Sequence, residues 1–284
     1  MTTEWSQIEV AHNNGRSRLV SNLSIPPLKL INPRSESEHF AAVIMSGYGG
    51  GMVEGDCVQL RIDCGEAAGL YLGTQALTRI YKCPGGQTTQ QTIEGVIGRN
   101  GCVVALPDLV VPYAGSRFCQ RQTWHLEEGA LLLLADGHTA GRIEGGERFS
   151  YDVYESAVHI NARDRPLLVD QYCSEPAVAP PPRVGAMGAM GAAMLNVFVA
   201  GWAGEERFDG LCAYLGEELS AEIEGQLKKR QLDQPLVSLA QKDHVLVLRA
   251  IARRHGDLKR IYEVLGNAVA RPQLLGINPL ARKY

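Results

Sequence analysis

The chain has 284 residues, with 28 Lys and Arg against 31 Asp and Glu, so its formal net charge is −3. Because nucleic-acid-binding proteins usually carry a basic excess or a basic stripe, this balance argues against a nucleic-acid partner. The 31 glycines and 14 prolines indicate many turns and short strands and argue against a helix bundle.

Targeting signals and membrane spans are not expected. Residues 1–5 lack the basic start and apolar core of a signal peptide. The uncharged stretch 184–204 has the length of a membrane span, but it is rich in Gly and Ala and contains Asn196, which predicts buried soluble structure. The seven cysteines are scattered and odd in number, as expected of reduced thiols. These features predict a cytoplasmic protein without a membrane partner.

Strand patterns dominate the first 173 residues. Val58, Leu60 and Ile62 alternate with polar residues, which predicts a half-buried strand. The apolar runs 102–106 and 131–134 have the length of buried strands. A further run over 149–160 predicts a longer, bulged strand.

Turn signals separate these strands. They occur at 83–86 (CPGG), 100–101 (NG) and 136–137 (DG). Strands therefore recur every ten to fifteen residues without long helices between them. This spacing favours a β-sandwich, barrel or β-solenoid over a parallel α/β sheet.

The pattern changes in the last third of the chain. The Pro-rich segment 176–183 is too short to establish a domain boundary. Residues 208–229 carry leucines every four residues, which predicts an amphipathic helix, and 257–270 predict a second one that ends before a proline. The apolar runs 236–240 and 245–248 predict a hairpin.

The predicted fold is therefore mainly β, of the α+β type, with two helices in the C-terminal third. We expect one domain over 1–284, β-rich over 1–203 and helix-containing over 204–284.

Known catalytic and metal-binding motifs are missing from the sequence. The Gly-rich stretch 47–56 lacks the Lys and the spacing of a phosphate-binding loop, and its plainest interpretation is a structural loop that ends in Asp56. The sequence has no Cys-x-x-Cys, His-x-x-x-His or His-Glu-x-x-His motif, which argues against a closed zinc site. It also has no Gly-x-Ser-x-Gly nucleophile motif.

Acidic residues beside predicted turns are the remaining candidates. They are Asp56, Asp108, Asp136, Glu147 and Asp170. Carboxylates without thiolate or imidazole partners suit a weakly held, hydrated divalent cation. The same acids could equally be turn and capping residues, or include the catalytic pair of a β-rich hydrolase.

Several segments, in order along nearly the whole chain, resemble those of the UreD (UreH) family of urease accessory proteins. They are 26–30 (PPLKL), 49–56 (GGGMVEGD), 74–81 (TQALTRIY), 106–115 (LPDLVVPYAG), 136–149 (DGHTAGRIEGGERF) and 166–170 (PLLVD). Three features depart from the family pattern. Glu54 stands where the family usually has a small residue, and Arg79 replaces the commoner Lys. Residues 278–284 lack the family's Pro-Arg-Ile-Trp ending.

The resemblance implies a helically wound, β-rich fold and a non-catalytic role. It implies a scaffold that joins UreF and the GTPase UreG to the urease apoprotein, so that nickel enters the urease active site. It further implies that Ni²⁺ is bound only transiently, that no cofactor is held tightly, and that UreG uses the GTP. The residues implied to line the nickel path as weak ligands are Asp56, Thr78, Asp136, Asp170 and Glu147.

Two other functions remain open at this point. A hydrolase would use paired acids such as Asp136 and Glu147. A plain interaction module would keep its acids for structural reasons alone.

Overall fold

A computed structural model describes residues 4–33, 37–163, 165–180, 191–228 and 234–281. The strands are β1 (Ser6–Asn13), β2 (Arg16–Leu23), β3 (Leu28–Ile31), β4 (Ala41–Gly47), β5 (Cys57–Cys64), β6 (Gly69–Thr74), β7 (Thr78–Ile80), β8 (Thr89–Ile97), β9 (Cys102–Leu106), β10 (Val110–Pro112), β11 (Arg117–Leu126), β12 (Leu131–Thr139), β13 (Val153–Ala162), β14 (Arg165–Ser174), β15 (Ala193–Ala200), β16 (Leu236–Lys242) and β17 (Val245–Ala252). The helices are α1 (Glu206–Lys228) and α2 (Lys259–Val269), with short 3-10 helices at Ile143–Gly145 and His255–Leu258.

In the described part of the chain these strands form two facing sheets. One has seven strands in the order β14-β13-β11-β8-β5-β1-β2. The other has ten, with β16-β17-β15-β12-β9-β6-β4-β3 in a row and β7 and β10 beside it.

The chain winds between the two sheets as a β-solenoid. It passes from β5 to β6, from β8 to β9 and from β11 to β12, changing sheet each time. The central strands of each sheet pair in parallel, as β5, β8, β11 and β13 do in one sheet and β4, β6, β9 and β12 do in the other. The outer strands pair in the antiparallel manner. The mainly β, helically wound fold is therefore confirmed.

Two apolar layers hold the structure together. The layer between the sheets contains Leu60, Ile62 and Trp124. The second layer lies between the ten-stranded sheet and the helices, and Leu215 of α1 and Leu265 of α2 are fully buried there. Each such side chain stabilises the fold by about 1.5–3 kcal/mol.

Both predicted helices and the predicted hairpin are present. α1 begins at Glu206, two residues before the predicted start, and residue 229 lies outside the described residues. The second helix begins as a 3-10 turn at His255 and becomes α-helical only at Lys259. β16 and β17 pair in the antiparallel manner and extend the ten-stranded sheet. No helix in the described ranges is long and apolar enough to cross a membrane.

Two of the predictions from the sequence are wrong. Asp136 and Gly137 do not form a turn, because both lie inside β12. A Cβ atom at Gly137 would lie 2.6 Å from the Met194 carbonyl oxygen, so glycine is needed there for close strand packing. The strand predicted from Phe149 begins only at Val153, since Phe149 has a positive φ of 52°.

Candidate functional site

A cavity of about 310 Å³ opens between the two sheets. Its outer end is lined by exposed residues, among them Gly49, Gln75 and Ala76, and its inner end by the buried Gln120 and Asp136. The Gly-rich loop therefore forms part of the cavity wall. The cavity leads from the surface into the space between the sheets.

Asp136 lies at the inner end, held by two neighbours on the opposite sheet. Gln120 donates from Nε2 to Asp136 Oδ1 at 2.7 Å, and Ser156 donates from Oγ to Oδ2 at 2.8 Å. Gln91 donates in turn to Gln120 Oε1 at 3.0 Å. Burial raises the pKa of Asp136, against the lowering effect of these two hydrogen bonds, and nearby Asp170 raises it further.

Polar side chains continue past Asp136, across the strands. Asn196 on β15 is the register partner of Asp136, and Arg249 on β17 is the register partner of Asn196. Register partners share one face of a sheet, so these three side chains form a row. Arg249 donates from one guanidinium nitrogen to Asn196 Oδ1 at 2.9 Å and from another to Asp170 on the facing sheet.

We call this row, together with the polar side chains beside it on the cavity wall and the facing sheet, the polar seam. Its residues are Thr74, Gln91, Gln120, Asp136, Ser156, Asn196, Arg249 and Asp170. It crosses successive coils of the solenoid rather than following any one strand. Burying polar groups between apolar sheets is unfavourable unless they are hydrogen-bonded, and the seam meets this condition through hydrogen bonds among its own side chains.

Thr78 and Thr74 lie on the cavity wall nearer the surface. Thr78 begins β7, which pairs with β10, and its backbone N–H donates to Leu109 O at 3.1 Å. Thr74 Oγ1 donates to the buried Asp108 Oδ2 at 2.8 Å. Asp108, noted in the sequence as an acid beside a turn, thus also belongs to the cavity wall.

Asp56 and Glu147 do not line the cavity. Asp56 accepts the Val53 N–H at 2.8 Å and closes the turn that ends the Gly-rich loop. Glu147 accepts the Ala114 N–H at 3.1 Å and pairs with Arg142. Asp170, by contrast, faces into the seam from within β14. The structure therefore brings Thr78, Asp136 and Asp170 to the cavity and seam, and their roles as nickel ligands stay predictions.

The hydrolase alternative requires Asp136 and Glu147 to face one substrate. Asp136 lies on the cavity wall and Glu147 in a separate loop contact, so they do not share that surface.

His138 lies beside the seam, two residues beyond Asp136 on β12. Its ring stacks on Tyr154 with centroids 4.0 Å apart, and burial lowers its pKa to about 3. The imidazole is therefore neutral at physiological pH. Among the described residues, no three or more His, Cys, Asp or Glu side chains are grouped to hold a metal ion.

No motif in the sequence marks the seam residues Gln91, Gln120, Asn196 and Arg249. A signal existed for Gln120 and Gln122, because they lie between Phe118 and Trp124 at the inward positions of β11. Polar residues at such positions predict a buried polar contact. No comparable signal marks Arg249, whose partner Asp170 lies far away in the sequence.

Comparisons with known proteins all identify urease accessory proteins as similar to this chain. The family model of the UreD urease accessory protein matches residues 5–283. The urease accessory protein UreD of Cytophaga hutchinsonii is 30% identical over 281 residues, which cover 98% of this chain and 97% of that relative. The UreD protein of Anaeromyxobacter sp. is 35% identical over 175 residues, covering 62% of this chain and 58% of that relative. The urease accessory protein D of Oryza sativa subsp. indica is 31% identical over 171 residues, covering 59% and 56%.

Proposed function

Because this chain belongs to the UreD family of urease accessory proteins, we propose that it conducts Ni²⁺ along the polar seam during urease maturation. In this proposal it is a non-catalytic scaffold in the cytoplasm that joins UreF and UreG to the urease apoprotein. UreG binds and hydrolyses the GTP. The chain itself holds no cofactor tightly.

The observation that carries the proposal is the continuous row of polar side chains through an otherwise apolar core. A protein that only docked to partners through its surface would gain nothing from burying Asp136 at a cost in stability. A protein that passes a cation between its sheets needs such a row, because the ion must exchange water for other oxygen atoms.

The chemistry of the seam favours passage over storage. Its side chains offer carboxylate, amide and hydroxyl oxygens, which bind Ni²⁺ more weakly than sets of thiolates or imidazoles do. Asp136 and Asp170 supply the negative charge, Thr78 marks the entry, and bridging water completes the coordination. Asp56 and Glu147 remain predicted ligands outside the cavity wall.

The test is urease activation with purified apoprotein, UreF, UreG, GTP and limiting Ni²⁺. We expect Asp136→Asn to lower the activation rate about tenfold while co-purification with UreF is kept, since it removes the central charge and keeps the shape. Asp63→Asn is the matched control, because Asp63 is exposed on the outer face of β5. Activation by Asp136→Asn at the rate of the unmodified chain would refute the proposal.

A further inference from the structure

Arg249 forms the far end of the polar seam, where it forms an ion pair with Asp170 on the facing sheet. Its guanidinium group contacts Asp170 across the sheets and Asn196 along its own sheet. The Asp170 side chain is only 14% exposed, whereas the Arg249 side chain is 48% exposed. The carboxylate is therefore held in the seam, while the guanidinium can turn out into water.

We infer that Arg249 is an internal competitor for the cargo cation: its guanidinium neutralises Asp170 until an arriving divalent ion displaces it, and it displaces the ion again on release. This inference rests on the proposed function and assigns Arg249 a positioning role within it. It does not make Arg249 a ligand, because a guanidinium has no acceptor atom to offer a metal.

The charges along the seam support this role. Without Arg249, the seam would hold the carboxylates of Asp136 and Asp170 with no cation between them, an arrangement that attracts and retains a divalent ion. With Arg249 in place, a cation at Asp170 is repelled by the guanidinium and bound only in its absence. The competition therefore lowers the affinity of Asp170 for the divalent cation and speeds the release of the cation from it.

The geometry keeps the free-energy cost of separating Arg249 from Asp170 small. The Arg249 side chain is half-exposed, so water screens its charge and weakens its attraction to Asp170. The guanidinium keeps access to water when it leaves, and Asn196 remains beside Asp136 as a second oxygen donor.

The experiment measures Ni²⁺ binding to the purified full chain by titration calorimetry, with NiCl₂ as the only added metal. We expect Arg249→Gln to bind Ni²⁺ about fivefold more tightly than the unmodified chain, because the competitor is gone. Release into a chelator, followed by stopped flow, slows in proportion. The double variant with Asp170→Asn loses this gain.

Arg163→Gln is the matched control. This substitution removes the same charge, and Arg163 pairs with Glu128 on the exposed surface. Arg249→Lys keeps the charge and is expected to give a smaller gain, so it carries the test if Arg249→Gln does not fold. Unchanged Ni²⁺ affinity in both Arg249 variants overturns the inference. A gain that Arg163→Gln reproduces, or that survives Asp170→Asn, also overturns it.

These outcomes are separate from those of the proposed function. If Asp136→Asn lowers urease activation but Arg249→Gln binds Ni²⁺ like the unmodified chain, conduction along the seam stands and the role of Arg249 falls. If Asp136→Asn activates urease normally, both fall, because the seam then carries no cargo.

Discussion

Asp136 combines two properties that rarely coincide in one residue: it is ionisable, and it is 7% exposed. Gln120 and Ser156 both donate to its oxygens, so its neighbours are arranged for the charged form. Burial opposes that form and raises the pKa. The two hydrogen bonds therefore offset only part of the cost of burying this carboxylate.

We expect Asp136→Asn to raise the free energy of unfolding at neutral pH, because the folded protein then no longer buries a carboxylate whose pKa burial has raised. The folded-state pKa is above the unfolded one, so the penalty is absent below about pH 4 and grows as the pH rises. Urea unfolding of both proteins at pH 4 and pH 7.5 measures it. If the two proteins differed in free energy of unfolding by the same amount at both pH values, this account of Asp136 would be contradicted.

At the scale of elements, β12 serves both apolar layers and the seam. Leu132 and Leu134 face the other sheet, Leu131 and Leu133 face the helices, and Asp136 continues the inward set. The Gly-rich loop is equally constrained. Met52 pairs with Ile80 at a parallel bridge that brings the loop against β7.

Gly51 is expected to tolerate no side chain. A Cβ atom there would lie 2.5 Å from the Arg79 carbonyl oxygen, which is too close for any real contact. Gly51→Ala should therefore lower the free energy of unfolding by about 1–3 kcal/mol. Gly256→Ala, where a Cβ meets nothing within 4 Å, should change it by less than about 0.5 kcal/mol. Equal effects in thermal unfolding would show that the loop moves freely.

At the scale of the whole molecule, the two apolar layers have different tasks. The layer under the helices contains Leu215 and Val264 and packs α1 and α2 against the ten-stranded sheet. The layer between the sheets contains Trp124 and Leu60 and also accommodates the seam. In the proposed function, cation passage therefore uses only one side of the ten-stranded sheet.

Leu215→Ala tests this division. It leaves a cavity under α1 and should lower the free energy of unfolding by about 2–5 kcal/mol. Where the variant is still folded, its Ni²⁺ affinity should equal that of the unmodified chain, because Leu215 packs on the side of the ten-stranded sheet that faces the helices, away from the polar seam. Denaturant titration and calorimetry measure the two quantities, and a parallel loss of Ni²⁺ affinity would refute the division.

Local patterns predicted much of the fold. The alternation in β5 and the apolar run of β9 follow from neighbouring residues, and both strands lie as expected. The turn predicted at Asp136–Gly137 is wrong, because the glycine provides packing space inside β12 and does not form a turn. Pairing between distant segments has no such local signal, so the contact between Asp170 and Arg249 needed the structure.

The site was predictable in part for the same reason. Asp136 and Thr78 were identified through a family resemblance and lie on the cavity wall. The inward position of Gln120 between Phe118 and Trp124 indicates a buried polar contact but does not identify its partner. Its significance comes from Asp136 on the facing sheet, which the strand pattern does not reveal.

Because the seam runs across the coils, the number of coils sets its length. Adjacent strands are spaced by about 4.8 Å, so each added coil of the solenoid would lengthen the seam by that distance. Longer strands or larger surface loops would leave it unchanged. In the proposed function, a change in the number of coils, rather than in loop size, would therefore alter the distance that the ion travels.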